Sequence, residues 1–77
     1  MDKFYKISDV KFEKDYMFIK VDDILYKIEI NEASDKLAKA SDQIRNDYKI
    51  SPSGYGIHWK QLDEDLSING LIRIAKK

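Results

Sequence analysis

The residues best suited to chemistry lie in the last third of the chain, where a histidine precedes a run of acids. His58 is the only histidine in the sequence, and Asp63, Glu64 and Asp65 follow it within seven positions. An imidazole beside a carboxylate can move protons. Nucleophilic catalysis would also need a cysteine or a serine at a nucleophile elbow, and the chain has no cysteine. We therefore predict that none of these residues is catalytic.

The same acids do not form a recognisable metal or phosphate site. A calcium loop spaces its acids at alternate positions, whereas Asp63, Glu64 and Asp65 are consecutive. A zinc site built from cysteine and histidine needs more of these residues than the chain contains. The Gly54–Gly56 segment lacks the Lys-Ser/Thr pair of a phosphate loop. We predict neither a bound metal nor a cofactor.

An acidic corner, defined as His58, Asp63, Glu64 and Asp65, is instead predicted to contact a partner. One acid would suffice to favour a helix start, since each contributes only about 0.3–1 kcal/mol there. Three adjacent acids repel one another. We therefore expect some of them to project outward and meet a basic surface on another protein.

Composition limits the remaining function classes. The 77 residues predict a single domain, 1–77, and 14 basic residues balance 14 acidic ones. Without a concentrated basic segment, binding of nucleic acid by this chain on its own is not expected. The uninterrupted apolar runs are far shorter than the roughly 18 residues of a membrane span. We therefore expect a cytoplasmic protein with no membrane association.

Residues 8–30 alternate between apolar and polar types, which predicts an antiparallel meander. Two-residue turns at Lys14-Asp15 and Asp22-Asp23 would bring all the apolar residues to one face. Under this register Ile19 lies opposite both Val10 and Tyr26. The last residue of the predicted strand is Ile30.

Residues 32–48 change to helical spacing. The apolar residues of the stripe are separated by three or four positions, whereas Arg45 is assigned to the polar side. Ser41 could cap a second helix, so one helix and two short helices both remain open. The residues of the stripe are Ala33, Leu37, Ala40, Ile44 and Tyr48.

The C-terminal third is predicted to contain a turn, a strand and a helix. Gly54 and Pro52 favour a tight turn. In the strand that follows, Tyr55, Ile57 and Trp59 are expected to share the core-facing side, with Gly56 and His58 on the other. Trp59 is expected to anchor the C-terminal helix to the sheet. That helix should span about 68–74, with Ser67 as its N-cap.

These elements predict an α+β fold, in which two or three short helices pack on one face of a small antiparallel β-meander sheet. At residues 40–71 the sequence also resembles domain-of-unknown-function family 2442, a family of small bacterial proteins. The likeness is carried by Gly56-Ile57-His58-Trp59, by Leu62-Asp63-Glu64-Asp65-Leu66-Ser67 and by the segment 40–54.

The resemblance implies a compact α+β domain with no established enzymatic activity. Genes of this family often lie beside a gene for a second small protein, as in toxin–antitoxin pairs. We therefore expect a non-enzymatic protein-interaction module, the antitoxin-like member of such a pair. Its partner should be another protein, and self-association into a homo-oligomer also fits. The alternative is a DNA-associated transcriptional regulator acting as an oligomer.

Overall fold

The computed structural model describes residues 5–52 and 54–76. These residues form an α+β fold that contains two antiparallel sheets and several short helices. The first sheet contains β1 (Ile7–Glu13), β2 (Tyr16–Val21) and β3 (Ile24–Glu29), and the second contains β4 (Lys49–Ile50), β5 (Gly56–Trp59) and β6 (Glu64–Ser67). The helices are α1 (Ile30–Ala33), α2 (Asp35–Ala38), α3 (Asp42–Arg45) and α4 (Ile68–Ala75).

The first sheet has the register that the alternating pattern predicts. Ile19 pairs with Val10 on one side and with Tyr26 on the other, and both connecting turns contain two residues. Asp22 and Asp23 both have positive φ, 51° and 69°. Two successive left-handed residues match the twist of a type I′ hairpin. Aspartate tolerates this conformation better than most residues, so the turn forms without glycine.

The helical region departs from the prediction at its start and in its number of helices. Ile30 is not a strand residue, because β3 ends at Glu29 and Ile30 begins α1. The chain then forms three short helices. Of the two alternatives left open, the structure has the break near Ser41, whose hydroxyl accepts a hydrogen bond from the Ile44 backbone N–H. A further break occurs at Ser34, which caps α2 by accepting from the Leu37 N–H at 3.1 Å.

The second sheet contains a strand that the sequence pattern did not predict. After β5 the chain makes a short 3₁₀ turn, Lys60–Leu62, and Asp63 ends this turn in the left-handed conformation. This reversal lets β6 pair antiparallel with β5. Of the three consecutive acids, Glu64 and Asp65 are therefore strand residues, whereas Asp63 ends the 3₁₀ turn.

The C-terminal helix and the hydrophobic core connect the two sheets. Helix α4 begins after Ser67, whose hydroxyl accepts from the Gly70 N–H at 3.0 Å, which confirms the predicted cap. It packs against β3 and β6. None of the helices among the described residues is long and apolar enough to cross a membrane. The buried core residues are Val10, Met17, Ile19, Val21, Ile28, Ile30, Leu37, Ile57, Trp59, Ile68 and Leu71.

Candidate functional site

The outer surface of the second sheet carries a row of three polar side chains. Lys49, His58 and Asp65 are cross-strand neighbours on β4, β5 and β6. They face outward because the residues on either side of His58, Ile57 and Trp59, are buried. The His58 Nδ1 atom lies 2.7 Å from the Asp65 Oδ1 atom. The carboxylate accepts the Nδ1–H, and in the neutral imidazole this leaves a lone pair on Nε2.

A groove of about 740 Å³ runs beside this row. Its floor is open at Gly56 because no side chain projects there. A Cβ at Gly56 would lie 2.8 Å from the carbonyl oxygen of Leu66, so glycine is required for β5 and β6 to approach. The groove is lined by Lys49, Ile50, Ser51, Pro52, Tyr55, Gly56, Ile57, His58, Asp65, Leu66 and Ser67.

One rim of the groove is held by Ser51. Its hydroxyl accepts hydrogen bonds from the backbone N–H groups of Tyr55 (2.9 Å) and Gly56 (3.2 Å). Gly54 has a φ of 73° and packs so closely on the Tyr5 carbonyl that a Cβ would lie 2.0 Å from its oxygen.

The prediction that Tyr55 faces the core is wrong. Tyr55 precedes β5, is 47% exposed and lines the groove.

The structure separates the predicted acidic corner into two parts. Strand alternation places Asp65 opposite His58 and Glu64 opposite Trp59. Asp65 is therefore on the outer surface, whereas the Glu64 carboxylate turns inward and accepts a hydrogen bond from the Ser34 hydroxyl at 2.5 Å. Asp63 is exposed at the end of the 3₁₀ turn. The four residues do not form one surface, and Glu64 stabilises the fold.

Replacing Ser34 by alanine should test this inward role of Glu64. The Ser34 hydroxyl both caps α2 and donates to a carboxylate. Because a cap contributes about 1 kcal/mol and a charged hydrogen bond about 1.5–3 kcal/mol, we expect a loss of about 2 kcal/mol or more. The measurement is urea denaturation. The matched control is Ser41→Ala, which removes a cap alone and should cost about 1 kcal/mol. Equal losses in the two variants would contradict a stabilising Ser34–Glu64 bond.

Two further residues organise the site from beneath, and Trp59 is the first. Its side chain is fully buried, and its ring lies 6.4 Å from those of both Phe12 and Tyr48. The indole Nε1–H donates to the Arg45 carbonyl oxygen at 2.8 Å. Trp59 therefore connects β5 with β1 and with the end of α3. Trp59 was predicted to anchor α4 to the sheet. Its ring contacts and its hydrogen bond instead involve other parts of the chain.

The second is Arg45, whose role sequence reasoning missed. It is 8% exposed, so its assignment to the polar side of the helix is wrong. Its guanidinium donates to the carbonyl oxygens of Leu37 (3.0 Å), Ala38 (2.9 Å) and Lys14 (3.0 Å). Two of these carbonyls lie at the end of α2, where the backbone satisfies fewer carbonyl oxygens than inside a helix. The Leu37 oxygen also accepts from the Ala40 N–H at 3.2 Å. The only signal in the sequence for this role of Arg45 was the possible break near Ser41, because a helix that ends there has carbonyl oxygens that need other donors.

The described residues contain no group of three or more histidine, aspartate or glutamate side chains placed to hold a metal ion. What they do provide is a preformed groove with apolar walls and an imidazole–carboxylate pair at its edge. This arrangement can accept hydrogen bonds and cover apolar side chains.

The fold and the groove define a small α+β domain in which two three-stranded antiparallel sheets share one hydrophobic core. Residues 7–77 match the family described as "Protein of unknown function (DUF2442)", and the chain belongs to this family. No curated protein matches the sequence. A protein of unknown function from Rhodospirillum rubrum ATCC 11170 has a similar crystal structure, with a TM-score of 0.72 and 23% sequence identity. The similarity covers 92% of this chain and 88% of that one, and it shows the fold alone.

Proposed function

We propose that the protein is a non-enzymatic protein-interaction module and that the groove on the second sheet is its contact surface. The observation that carries this proposal is the combination of exposed apolar residues with a fixed rim. Ile50 is 37% exposed and Tyr55 is 47% exposed, and both line the groove. Because Ser51 already holds the Tyr55 backbone in place, a partner would bind a surface that needs little ordering.

The partner is the product of a neighbouring gene, in the manner of an antitoxin and its toxin. This part of the proposal rests on the gene pairs of the family that the sequence resembles. A groove with apolar walls and polar edges suits an extended segment of such a partner, because apolar burial gives affinity and the polar groups orient the chain.

The charges of the first sheet favour a protein partner over DNA. On its outer face, Lys11 lies 3.8 Å from Asp9, and Lys20 pairs directly opposite Asp9 across the strands. Glu13 and Glu29 occupy the same face. DNA binding depends on a concentrated positive surface, whereas acids alternate with lysines here.

Co-purification with the neighbouring gene product tests the proposal. The Ile50→Ser/Tyr55→Ser variant should weaken binding by about tenfold or more, because it removes the exposed apolar walls. Ile24→Ser/Leu25→Ser is the matched control, since Ile24 and Leu25 are also exposed apolar residues but lie at the β2–β3 turn.

Calorimetric titration of the purified pair gives the affinities, and circular dichroism confirms that both variants fold. Binding that survives the groove variant, or that is lost equally in the control, would contradict the groove as contact surface. Failure of the two proteins to associate would contradict the paired-gene proposal.

A further inference from the structure

Strand β1 forms one edge of the first sheet and has a strand neighbour on one side only. In the part of the chain that the structure describes, its seven residues pair with β2 and with no other strand. Glu13 and Tyr16 flank the two-residue turn and therefore form the hydrogen-bonded pair that closes the hairpin. Because hydrogen-bonded and non-hydrogen-bonded pairs alternate along an antiparallel ladder, the backbone N–H and C=O groups of Val10 and Phe12 point away from β2. A further extended strand can pair with these groups.

The exposed side chains of β1 alternate in charge. Asp9, Lys11 and Glu13 are exposed and face away from the core, whereas Val10 and Phe12 belong to the core side. The Lys11 Nζ atom lies 3.8 Å from the Asp9 Oδ2 atom, and both side chains are well exposed. A strand with this alternation is complementary in charge to a second copy of itself, provided that the two strands run antiparallel in a suitable register.

One antiparallel register of two β1 strands brings opposite charges together along the whole strand. With Val10 opposite Val10 of a second copy, the full length of Ile7–Glu13 overlaps, and Asp9 lies opposite Lys11 twice. These are non-hydrogen-bonded positions, where the cross-strand side chains are closest. Together with the Asp9–Lys11 contact inside each strand, the four charges form a square in which every acid has two lysine neighbours.

The neighbouring registers are unfavourable. A shift of two residues in one direction places Lys11 opposite Lys11 and Asp9 opposite Glu13, and a shift in the other direction places Asp9 opposite Asp9. Like charges directly opposite each other destabilise a strand pair. A shift of one residue would place the exposed face of one strand beside the core face of the other. The sequence of β1 therefore selects the register that is centred on Val10.

We propose that the protein forms a homodimer in which β1 pairs antiparallel with β1 of a second copy, with Val10 at the two-fold axis. The two first sheets then form one continuous six-stranded sheet. The two Val10 residues exchange a pair of backbone hydrogen bonds, and the Asp9–Lys11 contacts between the copies fix the register. This inference goes beyond the proposed function, because no residue of β1 lines the groove.

Sedimentation equilibrium of the full chain tests the inference. A single strand pair is a small interface, so we expect a dimer with a Kd on the order of 100 µM, measured over a concentration range that brackets this value. Lys11→Asp places an acid opposite Asp9 at two positions and should weaken the dimer by about tenfold or more. The charge swap Asp9→Lys/Lys11→Asp brings opposite charges together again and should restore the wild-type affinity.

Lys27→Asp is the matched control. Lys27 is exposed on the same face of the sheet but lies on β3, two strands from the free edge. This variant changes the net charge as Lys11→Asp does and should leave the dimer unchanged, and circular dichroism checks that each variant folds. Amide hydrogen exchange of the wild type gives a second readout, because the Val10 and Phe12 amides should exchange several-fold more slowly at the highest protein concentration than at the lowest.

Three results would overturn the inference: a wild-type chain that stays monomeric at the highest concentration, equal losses in Lys11→Asp and Lys27→Asp, or a charge swap that does not restore association. The groove variant Ile50→Ser/Tyr55→Ser should dimerise as the wild type does. Loss of the dimer in that variant would place the self-contact at the groove and would also contradict pairing through β1. Since the dimer is measured on this chain alone, failure of the neighbouring gene product to bind would contradict the proposed function and not the dimer.

Discussion

Replacing Trp59 by alanine should reduce the free energy of unfolding by about 3–5 kcal/mol, the range typical of large aromatic truncations in cores. The side chain is fully buried between Phe12 and Tyr48. Small domains are stable by only about 5–15 kcal/mol, so much of the native population would be lost at moderate denaturant. Trp59 is the only tryptophan. Far-UV circular dichroism in urea is therefore the measurement, because the variant has no tryptophan fluorescence.

Trp59→Phe separates packing from hydrogen bonding at this site. Phenylalanine retains an aromatic ring but cannot donate to the Arg45 carbonyl oxygen, which receives the indole N–H at 2.8 Å. An unsatisfied buried acceptor costs about 1–3 kcal/mol, so this variant should lie between wild type and Trp59→Ala. An unchanged urea midpoint in Trp59→Ala would show that the aromatic contacts contribute little to stability.

The first sheet could be predicted from the sequence because one register buries all its apolar residues. A shift by one position would turn Ile19 and Met17 to solvent, and this cost selects a single pairing. The Ser67 cap was predictable for a similar local reason, since a hydroxyl before an apolar helix satisfies its first N–H groups. Both signals lie within a few residues of the feature they specify.

The second sheet and the site depended on contacts between distant segments. The strand β6 is short and rich in acids, so its composition resembles a loop until Asp63 reverses the chain and pairing with β5 begins. Glu64 turns inward because Ser34, thirty positions earlier, offers a hydroxyl. Alternation correctly placed His58 opposite in orientation to Trp59. No local pattern could show that Asp65 would be its partner.

Arg45 shows most clearly how tertiary contacts can override helical periodicity. An arginine beside an apolar stripe would ordinarily remain in water, since burial of an unpaired charge is costly. Here three backbone carbonyls from two separate segments compensate the burial. The guanidinium supplies hydrogen-bond donors to carbonyl oxygens at the end of α2 and in the β1–β2 turn. The same residue supplies the carbonyl that orients Trp59, so one network stabilises both the core and the inner side of the second sheet.

Replacing Arg45 by alanine should therefore cost at least about 2 kcal/mol, because the Ala38 and Lys14 carbonyl oxygens lose their guanidinium donor and an acceptor left unsatisfied costs about 1–3 kcal/mol. Arg45→Lys should also be strongly destabilising, since a single ammonium cannot reach three carbonyls that the planar guanidinium contacts together.

Urea denaturation measures the stability of both Arg45 variants, with Arg73→Ala as the matched control. Arg73 is exposed on α4, so its replacement should change stability by no more than about 0.5 kcal/mol. Hydrogen exchange of the Trp59 indole N–H gives a second readout, because loosening of the Arg45 backbone should speed its exchange. Arg45→Lys keeps the positive charge but not the planar guanidinium. If this variant had the wild-type urea midpoint and the wild-type exchange rate of the Trp59 indole N–H, the hydrogen bonds to the three carbonyls would not be what stabilises the protein here.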